Sequence, residues 1–392
     1  MANIIGTSVG LDSVIGRSVI KQKSLKTNSD REETTIVTHS ADKSGCAHYR
    51  LIWPNIVLNS IKDYVINDCK RVVLHEDFYK NTDVIRIQRQ VSNNQYEVFK
   101  FLRKVSDKYN IRLIYEIDDI PLYEDIPLYN RNRSSYANPD YRKNIINMMN
   151  MSDEVSVTTK FMRNYFIEKT NNKNITIVPN YMPRFWSDRY FDENKLKINF
   201  SKNKKKPRIL YAGSASHYGS GSVEDDFTKL EEYVKKTVKE YQWVFFGGLP
   251  RNLIPLYKSG KIEFHNYAPV MKYSDVFDKL KVNISIAPLV KNNFNHAKSN
   301  IKLIESGAWG IPCVCQDNIS TYEEALYKFD TASELDDQIK KLTKDSNIYM
   351  KAARKSKNIA DRYWLEDNID VWDEFYKYQF NSENRLLLNK LQ

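Results

Sequence analysis

Residues 292–315 read NNFNHAKSNIKLIESGAWGIPCVC, and the fold can be worked outward from them. Apolar positions at helical spacing predict a helix over 299–308. Gly310 stops it, Pro312 forbids its continuation, and CVC opens a buried strand. The first turn, Ser299, Asn300 and Ile301, offers amides without intrahelical acceptors at the positive end of the helix dipole, a place for an anion. Lys298 and Lys302 are four apart and Lys302 and Glu305 three apart, so the three side chains share a face. A diphosphate at this turn would meet amides and two ammonium groups, and a carboxylate further along could accept hydroxyl hydrogen bonds from a ribose. An exposed Lys–Glu helix pair is the plainer reading of the same spacing.

On either side, strand and helix patterns alternate. Towards the C-terminus we read strands at 209–212, 243–246, 262–265, 282–288 and 313–316, with helices at 223–240 and 273–280. Towards the N-terminus we read strands at 34–38, 72–74, 84–88, 111–116, 154–158 and 175–179, with helices at 49–61, 96–109 and 161–170. This spacing predicts an α/β chain with two doubly wound parallel sheets. The basic stretch SKNKKKPR (201–208) marks a linker or domain edge. The expected organisation is an arm at 1–33, domains at 34–190 and 203–360, and a final aromatic helix within 361–392. In that helix Trp364, Trp372 and Phe375 fit one face.

Composition narrows the class. Of 392 residues 41% are hydrophobic and 28% charged, with 12 glycines and 12 prolines, which excludes collagen-like and low-complexity chains. No apolar run reaches the length of a membrane span, and residues 1–23 lack a signal-peptide pattern, so a soluble, cytoplasmic protein without a membrane partner is expected. Cys46, Cys69, Cys313 and Cys315 are too few for a disulfide scaffold and show no zinc spacing, so no metal site is expected. The CVC strand is expected to set its two thiols on opposite faces. The net charge of +11 favours polyanionic partners or is incidental solvated charge.

The segment around Glu305 resembles the donor-binding signature of retaining GT-B glycosyltransferases of the Glu-x7-Glu type. Glu305 matches the second glutamate, which in that family binds the nucleotide ribose. The first falls on Ala297, so the resemblance leaves Asn295, His296 or Lys298 to meet the sugar or its phosphates. It implies two Rossmann-like domains facing across a cleft and a final helix returning to the first. The co-substrate would be a nucleotide-sugar, UDP-linked by the family's habit, with no further cofactor. In ILYAGSASHYGS, Gly213 and Ser214 would face the donor phosphates, and His217 is the nearest basic residue for the catalytic set. Tyr267, after the strand at 262–265, would contact the base. VPNYMP (178–183) resembles the hinge, with Asn180 ending the first domain.

In the first domain Gly45 would let backbone approach a phosphate or sugar, while His39 and His48 read as site or packed residues. Asp118 and Asp119 end the strand at 111–116, where carboxylates can hold sugar or acceptor hydroxyls and position the attacking one. Arg86, Gln88 and Arg89 sit at another strand end, where alternation lets only some of them face the cleft, and Arg89 is expected among the acceptor- or DNA-binding residues. The stretch LYNRNRSSYANPDYRKN (128–144) interleaves Arg131, Arg133, Arg142 and Lys143 with tyrosines, a pattern for phosphate contact and base stacking, or a solvated loop. The whole is similar to bacteriophage enzymes that glycosylate hydroxymethylcytosine, which implies transfer with retention, without a metal, onto 5-hydroxymethylcytosine in double-stranded DNA. A cytoplasmic glycosyltransferase for polysaccharide, glycolipid or protein, and a non-catalytic basic DNA-binding protein, are the alternatives.

Overall fold

A computed structural model describes residues 33–219 and 223–377. The expected arm (1–33, except Glu33) and the final aromatics Tyr378 and Phe380 lie outside the described residues. The chain divides into two compact units. Of the described residues, unit 1 takes 33–120, 138–181 and 365–377; unit 2 takes 121–137, 182–219 and 223–364.

Unit 1 is built on six parallel strands, β1 (Thr34–His39), β2 (Tyr64–Asp68), β3 (Val84–Gln88), β4 (Arg112–Glu116), β5 (Glu154–Val157) and β6 (Ile175–Ile177), in the order β2-β1-β3-β4-β5-β6. The central strands β3, β4 and β5 are buried along their whole length, as parallel strands covered on both faces must be. The expected strand at 72–74 is loop, and Leu74 is exposed. Its place is taken by β2, a half-buried edge strand whose YVIND sequence is too polar to stand out. The direction of the chain changes between β1 and β3, where the neighbouring strands run off to opposite sides of the sheet. Loops after these two strands therefore splay apart and leave room for ligands.

The helix Ile369–Lys377 belongs to unit 1 and is held there by buried cations. Arg86 lies over the Trp372 ring, 4.6 Å from its centroid, and donates to Tyr376 Oη at 3.1 Å. Arg112 donates to the Phe375 carbonyl at 2.7 Å. Trp364 is not on that helix: it stands in an extended residue, bridges Met182 and packs within unit 2. Beneath the helix, Glu116 is wholly buried and takes Arg50 at 2.6 Å together with Arg86 and Ser156. Burial alone would raise its carboxyl, but Arg50 and Arg86 outweigh burial and hold it below the usual range.

Unit 2 repeats the architecture with β7 (Arg208–Gly213), β8 (Gln242–Gly247), β9 (Glu263–Asn266), β10 (Ile284–Ala287), β11 (Cys313–Gln316) and β12 (Tyr327–Phe329). The order β12-β11-β10-β7-β8-β9 is that of dinucleotide-binding sheets, with its switch point between β7 and β10. Trp243, Phe245, Tyr211 and Phe227 fill the core on one side. Lys202, expected in a linker, lies in the last turn of the helix Glu193–Asn203. The helices Ala332–Thr343 and Ser346–Ala360 follow the last strands. Cys313 and Cys315 are two apart on β11 and so share a face; their sulfurs stand 3.5 Å apart, against the expectation of opposite faces.

Candidate functional site

The helix of the opening stretch runs Ile301–Ala308, two residues shorter at its start than expected, behind a short helix Asn293–His296. Its end is as the sequence implies. Gly310 adopts φ +69°, and the Ile311 and Gly310 amides bond back to the Ser306 and Gly307 carbonyls. A side chain at Gly310 would also strike the Phe191 ring. The helix follows β10, so its opening turn lies at the unit 2 switch point. Asn300 stands at its cap without a side-chain hydrogen bond to the helix.

Lys298 and Lys302 are both half-buried here, and among the described residues neither makes an ion pair. Lys302 Nζ stands 3.2 Å from His217 Nε2. Burial, then the charge of Lys298, pulls the Lys302 ammonium down from 10.5 to about 8. Burial and the same two lysines lower His217 to about 3, so its ring is neutral. His217 Nδ1 lies 2.7 Å from Asp226, whose carboxyl is held below its usual range. Burial alone would raise that carboxyl; its hydrogen bond from His217 and nearby charges outweigh it.

Glu305 is buried one turn further along and accepts from Tyr273 Oη at 2.9 Å. Tyr273 is stacked on Trp186 at 5.5 Å and on Phe246 at 4.9 Å, which fixes the phenol and, through it, the carboxylate. A small pocket in front is lined by Ala212, Ser285, Lys302, Glu305 and Ser306. Ala297, at the place of the absent first glutamate, is wholly buried.

At the carboxyl end of β7 the backbone comes close to its neighbour. Gly213 pairs with Gly247 of β8, and Gly247 has φ +97°. A methyl at Gly247 would stand 2.9 Å from the Gly213 carbonyl oxygen, too close for any L-residue. Ser214 follows, exposed, hydrogen-bonded to Ser216. Thus Gly213, Ser214, His217, Lys298, Ser299, Asn300, Ile301, Lys302 and Glu305 gather around one switch point.

The remaining candidates are placed otherwise. Asn295 is fully buried and donates to Asp226 at 2.8 Å, so it supports the network from behind. His296 turns to the Ser320 loop, accepting from the Ser320 amide. Tyr267 stands exposed after the edge strand β9. In unit 1, Gly45 opens a short helix with open space where its side chain would be. Arg89, at φ +42°, reaches Asp42 at 2.7 Å and Asp118 at 3.4 Å, a cluster at that unit's switch point. Asp119 is half-buried beside it. His39 and His48 are packed rings: their Nδ1 atoms lie 3.0 and 2.8 Å from the Cys69 and Ser44 carbonyls, and burial lowers His39 to about 4. The basic stretch is divided. Arg131 and Arg133 go with unit 2 and Arg142 and Lys143 with unit 1, where the latter two are exposed on the helix Pro139–Met151. Arg133 is spent locally, over the Tyr123 ring and on the Ile126 carbonyl.

Sequence reasoning missed Asp226, Tyr273 and Gly247–Gly248, and took Tyr129 as one of the stacking tyrosines of residues 128–144, whereas its hydroxyl donates to Asp226. The glycine pair had a signal, two glycines directly after an apolar strand. Asp226 was hidden by its neighbour: Asp225 takes the Phe227 and Thr228 amides as a helix cap does, while Asp226 turns inward. Among the described residues no group of three or more His, Cys, Asp or Glu side chains is placed to hold a metal ion. No helix among them is long and apolar enough to cross a membrane.

No family model and no curated protein matches the sequence. Solved structures do. A trehalose-6-phosphate synthase, OtsA, is 10% identical over 89% of this chain and 100% of that one, with a TM-score of 0.55. An E. coli structure bound with UDP-2-fluoro glucose is 10% identical over 88% and 100%, TM-score 0.51. A mutant of S. aureus TarM in complex with Fondaparinux, alpha-GlcNAc-glycerol and UDP is 13% identical over 76% of this chain, TM-score 0.51, and the chain spans about half of it, 56%. These neighbours are GT-B glycosyltransferases, and at such identities the likeness establishes the fold: two six-stranded parallel α/β units of the GT-B class.

Proposed function

We propose that the chain is a glycosyltransferase that takes its sugar from a nucleotide-sugar whose diphosphate rests at the switch point of unit 2. The observation that carries this reading is the pair Lys298 and Lys302, half-buried at the opening of the helix Ile301–Ala308 with no carboxylate in ion-pair reach. Two ammonium groups that repel one another and lose hydration on burial favour an anion between them.

The chemistry follows from charge. As the bond from the sugar's C1 to phosphate oxygen breaks, negative charge grows on the departing diphosphate. Each well-placed donor there is worth about 3 kcal/mol. Glu305, oriented by Tyr273, holds the ribose hydroxyls, and Tyr267 offers an exposed ring for the base, for which uridine is our choice. In the retaining, metal-free route we propose, the acceptor oxygen bonds C1 on the face the phosphate leaves, and the departing phosphate oxygen takes the acceptor proton. Asp118 and Asp119 are proposed to hold sugar or acceptor hydroxyls.

For the acceptor we propose 5-hydroxymethylcytosine in double-stranded DNA, supported by the net charge of +11 and the exposed Arg131, Arg142 and Lys143. The base would have to leave the duplex stack to react. A hydroxyl-rich glycan or polyol phosphate is the second reading, favoured by the fold shared with trehalose-6-phosphate synthase and TarM.

The test is nucleotide release from a panel of UDP-, GDP- and ADP-sugars, with and without hydroxymethylated DNA, followed by mass analysis of the nucleosides. A glycosylated hydroxymethylcytidine establishes both halves. Release stimulated only by a glycan or polyol acceptor replaces the DNA half. No binding of any nucleotide-sugar removes the donor half.

A further inference from the structure

Three side chains of unit 2 form a line that the donor reading does not explain. Asp226 Oδ2 lies 2.7 Å from His217 Nδ1, and His217 Nε2 lies 3.2 Å from Lys302 Nζ. The other carboxylate oxygen, Oδ1, accepts from Tyr129 Oη at 2.7 Å, the Val290 amide at 2.8 Å and Asn295 Nδ2 at 2.8 Å. An ionised carboxylate only accepts, so His217 carries its proton on Nδ1. Its remaining lone pair is then on Nε2 and faces an ammonium, which only donates. The opposite tautomer would set N–H against N–H. One proton arrangement satisfies the whole line.

The arrangement is held at a cost. Asn295 turns its amide nitrogen to Asp226, Tyr129 and the Val290 carbonyl, which leaves its fully buried Oδ1 without a partner. An orphaned buried acceptor is expensive. The amide is spent on keeping Asp226 in place.

We infer that Asp226 and His217 are positioning residues that aim the Lys302 ammonium at the opening of the helix Ile301–Ala308, with Tyr129 and Asn295 fixing Asp226. The inference rests on the diphosphate reading of that turn. His217 is then no base for an incoming hydroxyl, because both ring nitrogens are engaged. Around Lys302, Lys298 opposes its charge while Asp226, Glu305 and Cys313 favour it, and the Tyr211 ring lies 5.6 Å away. A hydrogen of Nζ fixed on Nε2 sets the direction of the other two.

The test uses the full chain and inorganic pyrophosphate, which carries the diphosphate chemistry without base or sugar. Asp226→Asn frees the imidazole to take the wrong tautomer, and pyrophosphate binding weakens about tenfold or more, with a displaced pH midpoint. His217→Leu does the same. His217→Gln, whose amide oxygen can stand in for Nε2, recovers most of the affinity. Tyr129→Phe, a milder change that leaves the carboxylate in place, weakens binding by less and serves if Asp226→Asn does not fold. Nitrogen-15 NMR of the native chain reads His217 as a neutral ring protonated on Nδ1 from pH 5 to 9. An Nε2-protonated ring, or folded variants that bind within twofold at an unmoved midpoint, overturns the inference. A native chain that binds neither pyrophosphate nor any nucleotide-sugar removes the diphosphate reading and the inference with it, and the ligand-free NMR result tells the two failures apart.

Discussion

The two units place cations at equivalent points of similar sheets and treat them in opposite ways. In unit 1, Arg89 at the β1–β3 switch reaches Asp42 and Asp118, and deeper in the sheet Arg50 and Arg86 close on Glu116. The charges are matched from within. In unit 2, at the β7–β10 switch, Lys302 meets a neutral imidazole, and Lys298 lies against the Phe294 ring. Matched charges hold a structure together; unmatched ones of one sign await a counter-ion from outside. On the proposed donor reading, the same residue class serves the fold in one unit and a ligand in the other.

The largest effect that tests this contrast is on stability. Glu116→Ala strands two buried guanidinium groups and is expected to cost about 3–5 kcal/mol, read as a lowered urea or thermal midpoint. Lys302→Met removes a cation that burial disfavours, so its midpoint stays level or rises. A Lys302→Met chain destabilised as much as Glu116→Ala would erase the contrast. Next in size is function: Lys302→Met should lower kcat/KM for the nucleotide-sugar by about 10²–10³, the loss typical of one strong charge-stabilising donor. Glu305→Ala should weaken donor binding by about tenfold and leave DNA retention intact. Unchanged donor affinity in that variant would take Glu305 out of the site.

Much of this was legible in the sequence wherever one short segment carries its own signal. Gly310 and Pro312 end a helix by backbone geometry alone, and the apolar strands of a doubly covered sheet announce themselves. Lys302 and Glu305 share a face because helical spacing requires it. What escaped depends on contacts distant in sequence. Asp226 is 76 residues from Lys302 and meets it through His217, and Tyr129 comes to Asp226 from a loop read only as basic and aromatic. The sequence places Arg86 only at a strand end, and its role as a packing cation depends on the distant helix Ile369–Lys377. Edge strand β2 lacks the continuous apolar run that betrays a central strand.

A smaller effect comes from pH. Lys302 in the ligand-free chain loses its proton as pH rises through about 8. An anion favours the charged form, so binding takes up a proton above that point. Pyrophosphate affinity should therefore fall by up to about a factor of ten per pH unit from 8 towards 10. Calorimetry at pH 8.5 in buffers of different ionisation heats reads the proton directly. The sign for stability is opposite. The folded state disfavours the ammonium, so this group's destabilisation is fully present below pH 8 and relieved as pH approaches 10.5, the unfolded value. Affinity that stays flat across this range would mean Lys302 does not meet the anion.

The smallest expected effect concerns the exposed cations, for which neither matched nor unmatched is the right word. Arg142 and Lys143 are exposed on the helix Pro139–Met151, where salt screens their charge. If they contact phosphates, replacing both by glutamine should reduce the slope of log K against log salt for duplex DNA by about 1.8, because each released counter-ion contributes about 0.9. Arg133→Gln should change the slope by less, since its guanidinium is already committed to Tyr123 and Ile126. Equal losses at all three positions would point to a general field from the net charge of +11 rather than to particular contacts. A slope that none of the substitutions moves would take DNA off this helix and leave the glycan or polyol phosphate as the acceptor to pursue.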